Sequence, residues 1–287
     1  MLVSREYVAP HSLDEVLQLL DESSYTVLAG GTDVYPARVG KPLPERVVDL
    51  SLVKNLRGIV FQEGFWRIGA TTTWSDIVNA KLPTGFECLQ QAAKQIGAVQ
   101  VQNAGTISGN LCTASPAGDS IPALMALDAE VELMSVSGAR RLKIEDFIAG
   151  YRKTVLQTNE IVTSINVPSE SANSTSAFEK FGTRAYLVIS LVMVATSVRR
   201  NSEGKIKDLR ICVGACSPVA KRIRTLENRL VKGGESKQSL DQITIEDFSI
   251  LSPIDDIRCS SEYRFELLPV LVKQALERCG WNSNVNN

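Results

Sequence analysis

The 287-residue sequence predicts an α+β protein built of two units that meet near residue 170. Three observations carry this. Segments with helical and with strand-like periodicity are mixed along the first part of the chain. A serine-rich, apolar-poor stretch, "SESANSTS" (169–176), reads as a linker. Strand-like runs follow it, and two helices close the chain.

Each element has its own warrant. In 12–22, "SLDEVLQLLDE", Ser12 with Glu15 three places on is a capping-box pattern, and Leu13, Val16, Leu17 and Leu20 recur at helical spacing. "YTVLA" then reads as a strand that a double glycine ends. "ERVVDL" (45–50) and "FWRIGA" (65–70) are further short strands. Thr73 and Asp76 cap a helix, "WSDIVNA", and "ECLQQAAKQI" (87–96) is helical. The stretch 103–129 starts polar and glycine-rich and ends in a short apolar helix. "AEVELMS" and "EIVTSINVP" are strands. Beyond the linker, "AFEKFG", "LVISLVMVATSVRR" and "KDLRICVGAC" are strands. The closing helices are "IRTLENRLVKG" and "YRFELLPVLVKQALERC", with Leu267, Leu271, Val272 and Ala275 on one stripe of the last.

Composition narrows the function. With 44% hydrophobic and 22% charged residues the chain can bury a core. A net charge of −1 offers no electrostatic reason to bind nucleic acid or a membrane surface. The start lacks a basic segment followed by an unbroken apolar one, so no signal peptide is expected and the cytoplasm is the default location. The most apolar run, 186–198, is too short to span a bilayer as a helix and reads as a buried strand. Six scattered cysteines lack a C-x-x-C; Cys212 and Cys216 are expected on one face of a strand. Two thiolates cannot complete a zinc or iron–sulfur site, so no metal is expected here. His11 is the single histidine, which nearly removes histidine base chemistry and histidine triads.

Two glycine stretches remain, "TVLAGGTDV" (26–34) and "NAGTISGN" (103–110). The first is neither a phosphate loop, because no Lys-Ser/Thr pair follows, nor a G-x-G-x-x-G fingerprint. Each alone can be a mere turn. Together they can offer backbone N–H groups to a pyrophosphate. Thr32, Thr106 and Asn110 add neutral donors, and Asp33 and Asp119 add acceptors for ribose hydroxyls or an amide N–H. No basic cluster stands near in sequence, which favours a dinucleotide held by backbone donors over a large free polyanion.

"LAGGTDV", "IGATTTWSDI", "NAGTISGNLCTASPAGDSIPALMALDA" and "DIRCSSEYRFELLPVLV" resemble the FAD-binding medium subunit of the molybdenum hydroxylases, in the right order from residue 1 to about 280. That family includes xanthine dehydrogenase and carbon monoxide dehydrogenase. The resemblance implies a two-subdomain FAD-binding fold of the PCMH type over 1–170, split into about 1–55 and 56–170. A C-terminal α/β domain of the CO dehydrogenase flavoprotein type follows over 177–282. It implies that Val27, Leu28, Ala29, Gly30, Gly31, Thr32, Asp33 and Val34 wrap the pyrophosphate. Thr106, Ile107, Ser108, Gly109 and Asn110 would lie at the cofactor's other side. Asp119 would contact FAD, Ile96 would sit beside it, and Val162 would lie near the flavin ring. Lys180, four before Arg184, would be a cationic neighbour that raises the flavin potential.

Two departures stand out. Ser108-Gly109-Asn110 replaces the family's frequent G-G-N, and Val188 stands where relatives often carry an aspartate before an isoleucine. The second leaves NAD as oxidant open and makes Tyr186 a candidate to cover the flavin face. The implied function is an electron-transfer oxidoreductase subunit without catalytic residues of its own. A large molybdopterin-binding subunit and a small [2Fe–2S] subunit would be its partners in a dimer of heterotrimers, a heterohexamer. Two alternatives stay open. One is a self-contained FAD oxidoreductase, with Tyr151 or Tyr186 as proton donor. The other is a non-catalytic scaffold that has lost FAD.

Overall fold

A computed structural model describes residues 5–281. The chain opens with three short strands, β1 (Glu6–Val8), β2 (Thr26–Leu28) and β3 (Arg46–Asp49), in a parallel sheet of order β1-β3-β2. The helix Leu13–Glu22 crosses between the first two and buries Val16, Leu17 and Leu20 against Val48 and Leu50. Its cap is half of the expected box. Ser12 Oγ accepts from the Glu15 amide at 3.2 Å, but the Glu15 carboxylate takes the His11 amide instead of that of Ser12. At Thr73–Asp76 both halves of the box form.

A five-stranded antiparallel sheet follows. Its strands are β4 (Ile59–Gln62), β5 (Phe65–Gly69), β6 (Glu130–Ser135) and β7 (Gly138–Lys143). A small hairpin of β8 (Ile148–Gly150) and β9 (Lys153–Thr154) precedes the fifth, β10 (Ile161–Pro168). The order β4-β5-β10-β6-β7 puts β10 at the centre. The helices Glu87–Gln95, Ile107–Thr113 and Ser120–Ala126 pack with it in the largest core. The glycine-rich stretch 103–129 is thus more ordered than its composition suggests. Val99–Ala104 and Ile107–Thr113 are both helical, although propensity disfavours glycine inside a helix.

The third sheet holds β11 (Thr175–Phe181), β12 (Val192–Arg200), β13 (Ile206–Gly214) and β14 (Lys221–Arg222), antiparallel and in chain order. An antiparallel sheet commonly keeps one wet face. Here both are covered. Met193 and Ala195 point into the core of the second sheet's helices, and Val192, Val194 and Val198 into a core with the closing helix. That accounts for the unbroken apolar run. The expected strand over 187–200 starts only at Val192, because Leu187 takes φ +54° and the preceding residues form bends.

Three further sequence expectations are corrected. The serine-rich stretch is not a free tether. Ser169–Ala172 is a helical turn, and Ser171, Ser174 and Ser176 are buried. Ser176 Oγ donates to the Gly85 carbonyl at 2.8 Å and accepts from the Cys88 amide at 2.9 Å. Small hydroxyl side chains here satisfy buried backbone where the sheets join. Cys212 and Cys216 do not share a strand face, because β13 ends at Gly214 and Ala215 turns at φ +62°; the two thiols enter different cores. On the last helix, Ser261–Arg278, Leu268 rather than Leu267 joins the buried stripe.

Ser176→Ala leaves the Cys88 amide and the Gly85 carbonyl short of a partner in the interior. It is expected to lower unfolding stability by about 1–3 kcal/mol, read by chemical denaturation.

Candidate cofactor-binding site

The two glycine stretches lie far apart in sequence and meet in space. β2 ends at Leu28, paired to Asp49 of β3, and Ala29-Gly30 turns away from the sheet. A Cβ on Gly30 would fall 1.9 Å from the Ala104 carbonyl oxygen, so only hydrogen fits between the two backbones. Gly31 is a glycine for a different reason. It takes φ +68°, and its missing Cβ would press on the Tyr35 ring. Thr32 lies against Gly105, because a Cβ there would meet Thr32 Oγ1 at 3.2 Å.

The first bend leaves donors free. Among the described residues, the amides of Gly30, Gly31 and Thr32 donate to no protein acceptor, while the Gly31 carbonyl accepts from Tyr35 and closes the turn. In the second bend the Thr106 amide likewise has no acceptor, but its neighbours are taken. The Ile107 amide donates to Thr72, that of Ser108 to Ala70, and that of Asn110 to Thr106. The Gly109 amide donates to Thr106 Oγ1 at 3.2 Å, the N-cap bond of the helix Ile107–Thr113. The fold thus offers three consecutive bare amides from the first bend and that of Thr106 from the second. The second bend otherwise contributes position and side chains.

A cleft of about 590 Å³ opens where the bends meet. Of the expected residues, Ala29, Gly30 and Thr106 line it. The turn 51–57 and the strand end at Thr71 and Thr73 form other walls, and Asn103 and Ala104 complete it. Lys54 and Arg57 bring positive charge that sequence separation concealed. Asp33 leans elsewhere, accepting from Thr113 Oγ1 at 3.2 Å and lying 3.8 Å from Arg152. Val27 packs against the first core, Leu28 is buried, and Val34 is half-buried in the turn. Ile107 and Ser108 are buried, Ser108 Oγ donating to the Ala70 carbonyl at 2.7 Å.

A second group gathers around Asp119. Lys180 Nζ sits 2.6 Å from its carboxylate, both side chains are about 5% exposed, and Ser190 Oγ donates to its other oxygen. Burial pushes the Asp119 carboxyl above its ordinary value, and Lys180 and Ser190 pull it back. Lys180 also reaches the Gln95 carbonyl at 3.4 Å, beside Ile96. A cavity of about 340 Å³ borders this group, lined by Gln95, Lys180 and Val188 among others. Tyr186 does not line it and stands 80% exposed. Val162 is buried in the main core. The Lys180 charge is thus met by the Asp119 carboxylate inside the protein. Asn110 ties the two regions, its Oδ1 accepting from Ser120 Oγ at 2.6 Å, next to Asp119.

A cleft with free amides at a glycine turn, fringed by hydroxyls and cations, offers the chemistry that a dinucleotide needs. Residues 3–170 match the model of the FAD binding domain in molybdopterin dehydrogenase, and residues 176–279 that of the CO dehydrogenase flavoprotein C-terminal domain. The chain is 30% identical to the carbon monoxide dehydrogenase medium chain of Hydrogenophaga pseudoflava, over 94% of this chain and 95% of that one. It is 36% identical to the nicotinate dehydrogenase FAD-subunit of Eubacterium barkeri, over 73% and 72% of the two chains. A solved structure of the Hydrogenophaga pseudoflava carbon monoxide dehydrogenase superposes with a TM-score of 0.87, covering 96% of this chain and 97% of that one at 28% identity. The chain belongs to the family of FAD-binding subunits of molybdopterin dehydrogenases, and is thus an oxidoreductase subunit. Its own residues fit the cofactor, in the bare-backbone cradle at Gly30 and the free amides after it.

Gly30→Ala forces the bends apart and is expected to yield protein with little bound flavin, measured by absorbance of the purified chain. Flavin content equal to wild type would displace the pyrophosphate from this turn. Lys180→Ala strands Asp119 in the interior and is expected to cost about 3–5 kcal/mol of stability. Adding Asp119→Asn should recover part of that loss in a denaturation series.

Proposed function

We propose that this chain is the FAD-carrying electron-transfer subunit of a molybdenum hydroxylase. It accepts electrons from [2Fe–2S] clusters of a small partner subunit and passes them to an external acceptor. Substrate oxidation takes place at the molybdopterin centre of a large partner subunit. The observation that carries the reading is the Gly30–Ala104 contact with the free amides of Gly30, Gly31 and Thr32 beside it. When bound, FAD supplies the chemistry of taking up two electrons and releasing them.

The chain's own residues bind and orient. The turn 27–34 holds the pyrophosphate through main-chain donors, with Thr106 and Asn110 across from it. Asp119, paired to Lys180, stands at the flavin end with Ile96, Val162 and Val188 around it. A buried pair of this kind fixes geometry with little net charge, so the ring's potential is set by local dipoles more than by a free cation. No acid–base residue is required, which suits a chain whose single histidine is in the N-terminal turn.

The proposed divisions are 1–170 for the FAD-binding unit, in parts of about 1–55 and 56–170, and 177–282 for the C-terminal unit. The limits at 1 and 282 lie outside the described residues. The names of the relatives, medium chain and FAD-subunit, support companion chains, and we propose a dimer of heterotrimers as the assembly. Among the described residues no helix is long and apolar enough to cross a membrane, and we place the complex in the cytoplasm. The self-contained oxidoreductase gains little support, since neither Tyr151 nor Tyr186 lines either cavity.

The purified chain is expected to be yellow and to stay yellow with the substrate of the complex, bleaching only when the partner chains are added. Anaerobic absorbance titration decides it. Bleaching by the chain alone would replace the subunit reading with the self-contained enzyme, and a colourless chain in the assembled complex would leave only the scaffold.

A further inference from the structure

The turn 54–57 places two cations over the glycine cleft. Lys54–Leu56 is a 3₁₀ turn, closed by the Arg57 amide donating to the Lys54 carbonyl at 3.2 Å. Side chains three apart eclipse in a 3₁₀ turn, so Lys54 and Arg57 share one face. The opposite side of the turn is anchored. Val53 and Leu56 are buried, and the Leu56 carbonyl accepts from the Thr71 amide at 2.8 Å. A Cβ on Gly69 would fall 2.4 Å from that carbonyl oxygen. Gly58 is held at both its amide and its carbonyl by Thr72 Oγ1, at 3.0 and 3.1 Å. Upstream, Asp49 accepts from the Ser51 amide at 2.8 Å and from the Tyr7 hydroxyl. The basic pair thus rides on a turn fixed at several points of its backbone.

The two cations differ. Arg57 is held by Asp76 through two bonds, at 2.8 and 3.0 Å, and Asp76 also caps the helix Trp74–Asn79. The Lys54 ammonium has no hydrogen bond or ion pair among the described residues, and Lys54 lines the cleft with Ala29 and Gly30. Of the eleven lining residues two are cationic and none is acidic. Facing carboxylates are spoken for, Asp76 by Arg57 and Asp33 by Thr113 and Arg152.

We propose that Lys54, with Arg57 held in place by Asp76, supplies the countercharge for the diphosphate of the bound dinucleotide, so that this cleft selects FAD over flavins lacking a second phosphate. The inference rests on the reading that the cleft takes FAD. Main-chain amides at the glycine turn align the phosphates. Lys54 closes over them from the opposite wall as a mobile point charge, and its reach is screened by salt.

The test uses the full chain freed of flavin, with Lys54→Gln, Lys54→Glu and, as a control on the C-terminal unit, Lys237→Gln. Binding of FAD, ADP and riboflavin is measured by fluorescence at low and high salt. Lys54→Gln is expected to weaken FAD and ADP about ten-fold, with a flatter salt dependence. Lys54→Glu should weaken them further, whereas riboflavin binding and the Lys237→Gln control stay as in wild type. Wild-type affinity and salt slope in Lys54→Gln, with FAD still bound tightly by the parent, would overturn this inference and leave the FAD reading standing. Equal losses for riboflavin and ADP would also overturn it, by showing a general disturbance. A parent chain that binds neither FAD nor ADP would sink both.

Discussion

The site depends on one close approach, the Gly30 backbone resting on the Ala104 carbonyl. Two segments some seventy residues apart are brought so near that a single methyl cannot be placed between them. The contact joins the turn after a strand of the parallel sheet to the helix Val99–Ala104, which packs on the helix Trp74–Asn79. Without it the cleft has one wall. With it, the turn that carries unpartnered amides is aimed across at Thr106, Asn103 and the basic turn at 54–57. Backbone groups serve well here because they are fixed by the fold and cost little entropy to order.

Charge is handled in two ways along the same site. Where the chain is buried, Asp119 and Lys180 neutralise one another and Ser190 fills a remaining acceptor position. Such a pair adds little net stability over an apolar pair, yet neither partner can be lost alone, which makes it a device for position. Where the cleft is open, Lys54 is left without a partner. A free ammonium beside free amides keeps its attraction for an anion, whereas a paired one has already used it. In the proposed reading, the contrast separates an end that orients the cofactor from an end that captures it.

Much of this was legible along the chain. The helix at 13–22 follows from its apolar spacing and Ser12, the helix at 74–79 from Thr73 and Asp76, and the short strands from their apolar runs between turn residues. The double glycine marked the turn after the strand, where Gly31 takes a conformation that other residues avoid. Other features escaped. Helices at 99–104 and 107–113 were hidden by Gly105, Ser108 and Gly109, whose weak propensity is overridden by burial of Ile107 and Leu111. The serine-rich stretch looked like a tether because composition does not reveal that Ser176 faces buried backbone. The basic wall was invisible because Lys54 and Arg57 are distant in sequence from both glycine stretches.

The sequence by itself determined most of the local elements, the glycine positions and the shortage of histidine and cysteine clusters. These are properties of nearest neighbours and of residue chemistry, and they survive without knowledge of the fold. Only the tertiary structure decided which amides stay free, which lysine is neutralised and which is not, and where the cavities open. Each of those depends on what stands opposite a group in space. A hydrogen-bond donor or a charge has no fixed function until the rest of the chain has either satisfied it or left it facing an opening.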